Sequence, residues 1–119
     1  MTPANSQKPL RWTDQLDEAA VREAFEEACT DAYGEDEEHT GLLTAIEQEL
    51  SFPFRAAVLG QEVDVVGMEW PEDDRFGLDL VIEREGERYR VEARSVELVE
   101  PLPEGHLYLA AYLAWKRSL

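Results

Sequence analysis

Pro53 splits this sequence into two kinds of apolar pattern, and that break constrains the fold more than any other feature. A proline cannot donate to a helical ladder, and it pushes the residue before it, here Phe52, toward extended backbone. Upstream, Leu16, Ala20, Val21, Ala24, Phe25, Ala28, Cys29 and Ala32 recur at three- and four-residue spacing. That period is the mark of an amphipathic helix. Thr13 or Asp14 is its expected N-cap, Asp14, Asp17 and Glu18 fill its first turn, and Gly34 is the expected C-cap. A second helix follows, with Leu42, Leu43, Ile46 and Leu50 as its buried face.

Beyond Pro53 the pattern changes to short segments rich in Val, Ile and Leu, from Arg55 to Leu59, Glu62 to Glu69, Leu78 to Arg84 and Arg88 to Arg94. Leu59-Gly60-Gln61 and Glu85-Gly86-Glu87 are expected hairpin turns. Tyr89, Val91 and Ala93 alternate with Arg90, Glu92 and Arg94, which predicts a half-buried strand. Val96, Leu98 and Val99 supply a further short strand. After Pro101 and Pro103, a closing helix from Leu107 to Trp115 is anchored by Leu109, Tyr112, Leu113 and Trp115. The expected fold is α+β: an N-terminal helical hairpin packed on a small curved antiparallel sheet, an SH3-like partial barrel, with a C-terminal helix. Residues 1–11 are expected to form a flexible tail and residues 12–119 a single domain.

Charge restricts function. The chain carries 27 acids against 11 Lys and Arg, a net charge of −16. Between residues 14 and 49, thirteen acids face a single base, Arg22. Such a field repels nucleic-acid backbones and anionic lipid, and attracts cations and basic partners. Neither a nucleic acid nor a membrane is therefore expected as a partner. The single Cys29 excludes an internal disulfide and suits a reducing compartment. No apolar run approaches a membrane span, and MTPANSQKPL lacks the apolar centre of a signal peptide, so a cytoplasmic location is expected.

The acids concentrate in DAYGEDEEHTG, where Glu35, Asp36, Glu37 and Glu38 stand in file and Asp31 lies just upstream. One reading is a solvated turn, screened at physiological salt over roughly 8 Å. The other is a site for a hard divalent cation. Calcium takes six to eight oxygen ligands, whereas borderline metals want His or Cys, of which the chain has only His39, His106 and Cys29. A cation at the end of the first helix would also meet unpaired carbonyls and the negative end of the dipole. An EF-hand register beginning at Asp36 places Gly41 and Glu47 correctly, but Glu38 and Thr40 replace the expected Asp or Asn. An irregular helix-turn-helix site is favoured over an EF-hand. A second acid group, Glu72, Asp73 and Asp74, follows Trp70-Pro71; it reads as a hydrophilic turn or as further ligands folded against the first group. The candidate metal ligands are Asp31, Glu35, Asp36, Glu37, Glu38, Asp73 and Asp74.

DAYGEDE, followed by a helix and LSFPFRAAV, resembles the cyanobacterial calcium-binding protein (CcbP) family of small acidic proteins. Asp31, Tyr33, Gly34 and Glu37 match its turn, and Leu50, Phe52, Pro53, Phe54 and Ala56 match the approach to its sheet. Tyr112 and Trp115 match its aromatic end, while Leu42, Leu43 and Ala111 depart from the pattern. The resemblance runs from about residue 25 to 117 and implies a calcium buffer or sensor with a non-EF-hand acidic site. Asp31 and Glu37 are the leading ligands under this reading.

The remaining chemistry is sparse. His39 is expected as an exposed helix residue, His106 as a surface or capping residue, and Cys29 as a buried inert thiol. Ser51 and Ser95 have no adjacent base, and no acid pair separates a protonated from an ionised partner, so an enzyme is not expected. Arg84, Arg88, Arg90 and Arg94 are expected to pair with Glu83, Glu85, Glu87 and Glu92. The alternative to calcium binding is an acidic interaction module recruiting a basic protein partner, with a nucleic-acid mimic as its special case.

Overall fold

The computed structural model describes residues 16–119. The tail assigned to residues 1–11, the proposed caps Thr13 and Asp14, and Trp12 lie outside the described residues. Helix α1 spans Glu18–Ala28, and its N-cap is Asp17, whose backbone is extended and whose carboxylate accepts the Ala19 N–H at 3.0 Å. At the other end, the Thr30 hydroxyl lies 3.0 Å from the Glu26 carbonyl and 3.1 Å from that of Glu27, serving acceptors that the helix leaves open.

Helix α2 spans Glu35–Glu49, so the acid run forms its first turn instead of preceding it. The physical reason is the helix end itself. Unpaired N–H groups and the positive end of the dipole favour carboxylates there. Glu37 also reaches back to accept the Tyr33 N–H at 3.0 Å, while the Gly34 cap offers no side chain. Leu42, Leu43, Ile46 and Leu50 are buried as expected. Gly41 permits the end of α1 to lie directly on α2, because a Cβ there would overlap the Ala28 carbonyl oxygen.

Five strands follow: β1 Phe54–Val58, β2 Gln61–Glu69, β3 Asp79–Arg84, β4 Glu87–Glu92 and β5 Val96–Leu98. They pair antiparallel in the order β4-β3-β2-β1-β5. A 3-10 turn at Ala93–Ser95 is all that joins β4 to β5, at opposite edges of the sheet. Four strand spacings in a flat sheet would separate those edges by roughly 19 Å. Three residues of 3-10 helix advance only about 6 Å. The sheet must curl, and a register shift between Val65 and Gly67 on β2 adds local twist. The result is the expected SH3-like partial barrel, curved but open.

Both hairpins close on two residues of positive φ, Leu59 (52°) with Gly60 (79°), and Glu85 (54°) with Gly86 (83°). Twist in such turns matches the strands, which favours Asn or Gly at the first position. Leu59 is 95% exposed and gains nothing from burial there. Leu59→Asn should therefore stabilise the protein by about 0.5–1 kcal/mol. A higher urea midpoint at unchanged slope would show it; a lower midpoint would contradict it.

The fourth strand departs from expectation. It ends at Glu92, Ala93 passes into the 3-10 turn, and Tyr89 is 48% exposed because β4 is an edge strand. The arginines of this strand and its flanks are largely matched to carboxylates. Arg88 pairs with Glu83 and Arg94 with Glu92 at 3.2 and 3.4 Å, and Arg84 approaches Glu85. Arg90 instead takes Asp79 and Glu69.

Helix α3, His106–Arg117, buries Leu109, Tyr112 and Trp115 and packs against both α1 and α2. A single apolar cluster joins helices and sheet, with Phe52 and Phe54 in contact at 5.8 Å between ring centroids. No helix among the described residues is long and apolar enough to cross a membrane.

Candidate metal centre

The loop of residues 70–78, between β2 and β3, folds onto the start of α2 and the end of α3. Four polar side-chain contacts help to hold it. Tyr112 donates its hydroxyl to the Phe76 carbonyl at 2.7 Å, and His39 Nε2 meets the Gly77 carbonyl at 2.8 Å. Arg75 grips both carboxylate oxygens of Asp36, with the Nε contact at 2.9 Å. Lys116 Nζ lies 3.1 and 3.3 Å from the two oxygens of Asp74. Arg75 thereby ties the loop to the first turn of α2, while Asp74 is paired with α3.

Beneath this loop lies an aromatic cluster. His39 is buried, against the expectation of an exposed helix residue, and packs among Trp70, Phe76, Tyr112 and Trp115. Its bond to Gly77 makes Nε2 the protonated nitrogen, since a carbonyl only accepts. Burial raises the Tyr112 phenol above its ordinary value. Trp115 Nε1 donates to Glu38 at 2.9 Å, drawing that carboxylate down from the surface.

Electrostatics at the rim follow these contacts. The bond from the Arg75 guanidinium, more than its charge, holds the Asp36 carboxyl below its ordinary value. At Asp74 burial alone acts upward, but Lys116 and the Phe76 N–H outweigh it and the carboxyl is lowered. Cys29 goes the other way. Burial and then the Glu38 charge push its thiol up to about 11, so it stays protonated at neutral pH and is inert as a soft ligand. His106 is half-buried at the start of α3 and bonds the Pro103 carbonyl through Nδ1 at 2.9 Å; the N-cap is Gly105, with no side-chain cap bond.

The candidate ligands thus divide. Asp36 is paired with Arg75, Asp74 with Lys116, and Glu38 accepts from Trp115. Glu37 is turned to its own backbone. Asp31, in left-handed backbone at φ 65°, and Glu35 and Asp73 stand exposed. Among the described residues, no three His, Cys, Asp or Glu side chains converge as a metal group. The donor chemistry suits calcium, being all oxygen, while the arrangement is held apart by bonds to other partners. The register from Asp36 to Glu47 lies wholly within α2, where an EF-hand would need an open loop. Arg75 and Lys116 were not singled out by the sequence, although Arg75 is the only base between Arg55 and Arg84 and directly follows Asp74.

Among the described residues, three helices over a curled five-stranded antiparallel sheet define an α+β fold found among solved proteins. One of these is the crystal structure of Anabaena CcbP, with a TM-score of 0.65 and 20% sequence identity over 85% of this chain and 91% of that one. Another is described as "Calcium binding protein in the calcium-binding form", with a TM-score of 0.64 and 19% identity over 87% of this chain and 94% of that one. The chain has the CcbP-like fold, and the resemblance noted in the sequence holds at that level. No family model matches the sequence, and no curated protein does.

Proposed function

We propose that the protein binds calcium through a non-EF-hand acidic site, as a calcium buffer or sensor in the cytoplasm. The observation that carries this reading is the Arg75–Asp36 bond, which draws the loop that bears Asp74 toward the first turn of α2. Fold similarity to proteins named for calcium binding supports it. Asp36, Glu38 and Asp74 supply the inner oxygens in this account, with Asp31, Glu35, Glu37 and Asp73 around them. The helical course of residues 36–47 supports a site unlike an EF-hand.

Isosteric removal of charge tests the assignment. Asp36→Asn combined with Asp74→Asn should weaken calcium binding by about tenfold or more, since each lost carboxylate removes a charged ligand. Competition against a fluorescent calcium indicator would measure it, and unchanged affinity would move the site elsewhere.

A second reading, docking of a basic protein partner, is favoured by a different place on the molecule. Glu23 and Glu27 of α1, Glu49 of α2 and Glu104 surround a cavity of about 290 Å³ floored by Ala24 and Leu107. None of these four carboxylates has an ion-pair partner among the described residues. A lysine-rich peptide whose binding is lost on Glu27→Gln with Glu49→Gln would favour that reading over the first.

A further inference from the structure

Strand β4 closes one edge of the sheet, and among the described residues it pairs with β3 alone. The tight turn at residues 85–86 makes Arg84 and Glu87 its closing pair, and hydrogen-bonded and non-hydrogen-bonded pairs alternate from there. Glu87, Tyr89 and Val91 thus spend their backbone groups on β3, while those of Arg88, Arg90 and Glu92 point outward from the edge. Such a row is a template for another strand unless something guards it. The strand holds no proline, and its register with β3 runs unbroken to Glu92, so two common guards are missing. Charge is left to decide what pairs there.

We infer that this edge pairs with the β4 edge of a second copy, antiparallel about a two-fold axis at Arg90, with Arg88 of each copy opposite Glu92 of the other. Charge favours a second copy at this place. The chain carries −16 overall, yet from Arg84 to Arg94 four arginines stand among three glutamates. Two copies meet along β4 without the repulsion that the acidic helices would impose.

The register follows from the same residues. Opposed residues in an antiparallel ladder share a face, so the axis passes through a residue that opposes its own counterpart. An axis at Arg90 keeps Arg88 to Glu92 in the ladder, sets Arg88 opposite Glu92 twice, and sets Tyr89 opposite Val91 twice. An axis at Tyr89 would oppose Arg88 to Arg90 twice, and like charges directly opposite are destabilising. An axis at Val91 would keep only Arg90 to Glu92 within the strand. The central Arg90 pair is tolerated because each guanidinium is drawn back over its own sheet to Asp79 and Glu69, at 3.0 and 3.2 Å. Arg88 and Glu92 are exposed and can reach across. Tyr89, half-exposed opposite the buried Ile82, gains Val91 of the second copy as cover. Contact along Arg88 to Glu92 buries less than the roughly 1,200 Å² of a stable complex, which sets the dimer in the weak class.

Association of this kind needs no calcium, so the test is made in the presence of a chelator. Sedimentation equilibrium up to about 1 mM compares the wild-type protein with Arg88→Glu, Glu92→Arg and the double variant, and NMR follows backbone amide exchange of the wild type over the same range. The wild type should pass from monomer to dimer with a Kd on the order of 0.1 mM. Each single reversal acts twice across the two-fold and should weaken the dimer by about tenfold, and the double variant should recover most of the loss. The Arg90 and Glu92 amides should gain protection as concentration rises, while those of Tyr89 and Val91, bonded to β3, stay protected throughout. Amide exchange requires no variant and decides the matter even where a reversal disturbs folding. A monomer at about 1 mM, assembly that grows past the dimer, or a dimer that forms with the Arg90 and Glu92 amides unprotected would each overturn the β4 pairing.

Discussion

Gly105→Ala should destabilise the protein by about 3 kcal/mol or more, equivalent to a fall of about 12 °C or more in Tm. Two costs act together at this residue. Its backbone is left-handed, φ 85° and ψ 3°, where an L side chain costs roughly 1–2 kcal/mol. It also lies flat against the end of α2, so that a Cβ would collide with the Glu49 carbonyl and come 2.7 Å from the Leu50 Cα. Backbone cannot swing aside as a flexible side chain can. The adjoining bond from the Ser51 N–H to the Glu104 carbonyl, 3.0 Å, would be strained by any retreat. Thermal unfolding followed by circular dichroism measures the effect. A Tm within about 3 °C of wild type would show that α2 and the start of α3 are less tightly apposed than described.

Trp115→Ala should cost about 3–5 kcal/mol, the usual range for deleting a buried large aromatic side chain. The indole is 7% exposed and touches His39 and Tyr112 at 5.9 and 6.0 Å between ring centroids, and Phe76 edge-on at 5.5 Å. It also carries the hydrogen bond to Glu38. Trp115→Phe helps to separate the two contributions, because it keeps a buried aromatic ring while losing the donor and part of the volume. That variant should cost about 1–2 kcal/mol. Urea unfolding of both proteins decides the matter. Equal losses would mean that the Glu38 bond, not packing, dominates at this position.

Much of the fold was legible before any coordinates. Pro53 marked the change from helix to sheet, the Gly-containing pairs at residues 59–60 and 85–86 marked the hairpins, and Leu42, Leu43 and Ile46 marked the buried face of α2. These features are local, and local rules suffice for them. The errors came from tertiary context. Glu35 to Glu38 were expected in a turn, yet a helix start receives acids more readily than a turn does. His39 was expected at the surface because its neighbours are charged. The approach of residues 70–78 and of α3, both distant in sequence, buries it among Trp70, Phe76, Tyr112 and Trp115. Arg75 and Lys116 were missed for the same reason, since a counter-ion is recognisable only when its carboxylate is seen beside it. At the candidate site the sequence supplied donor types, while the pairing of one acid group with the other depended on the loop's path.

The protein thus joins two features, oxygen-rich surface chemistry and a loop tied down by its own cations. Both are meaningful only if a divalent ion is bound. The most direct measurement is calorimetric titration of calcium into the wild-type protein at about 0.15 M salt, with magnesium as competitor. The expected result is a saturable calcium signal with a Kd of about 1 mM or tighter, persisting in the presence of magnesium, which demands a more rigid octahedral shell. No saturable heat, or calcium binding abolished by an equal concentration of magnesium, would contradict it.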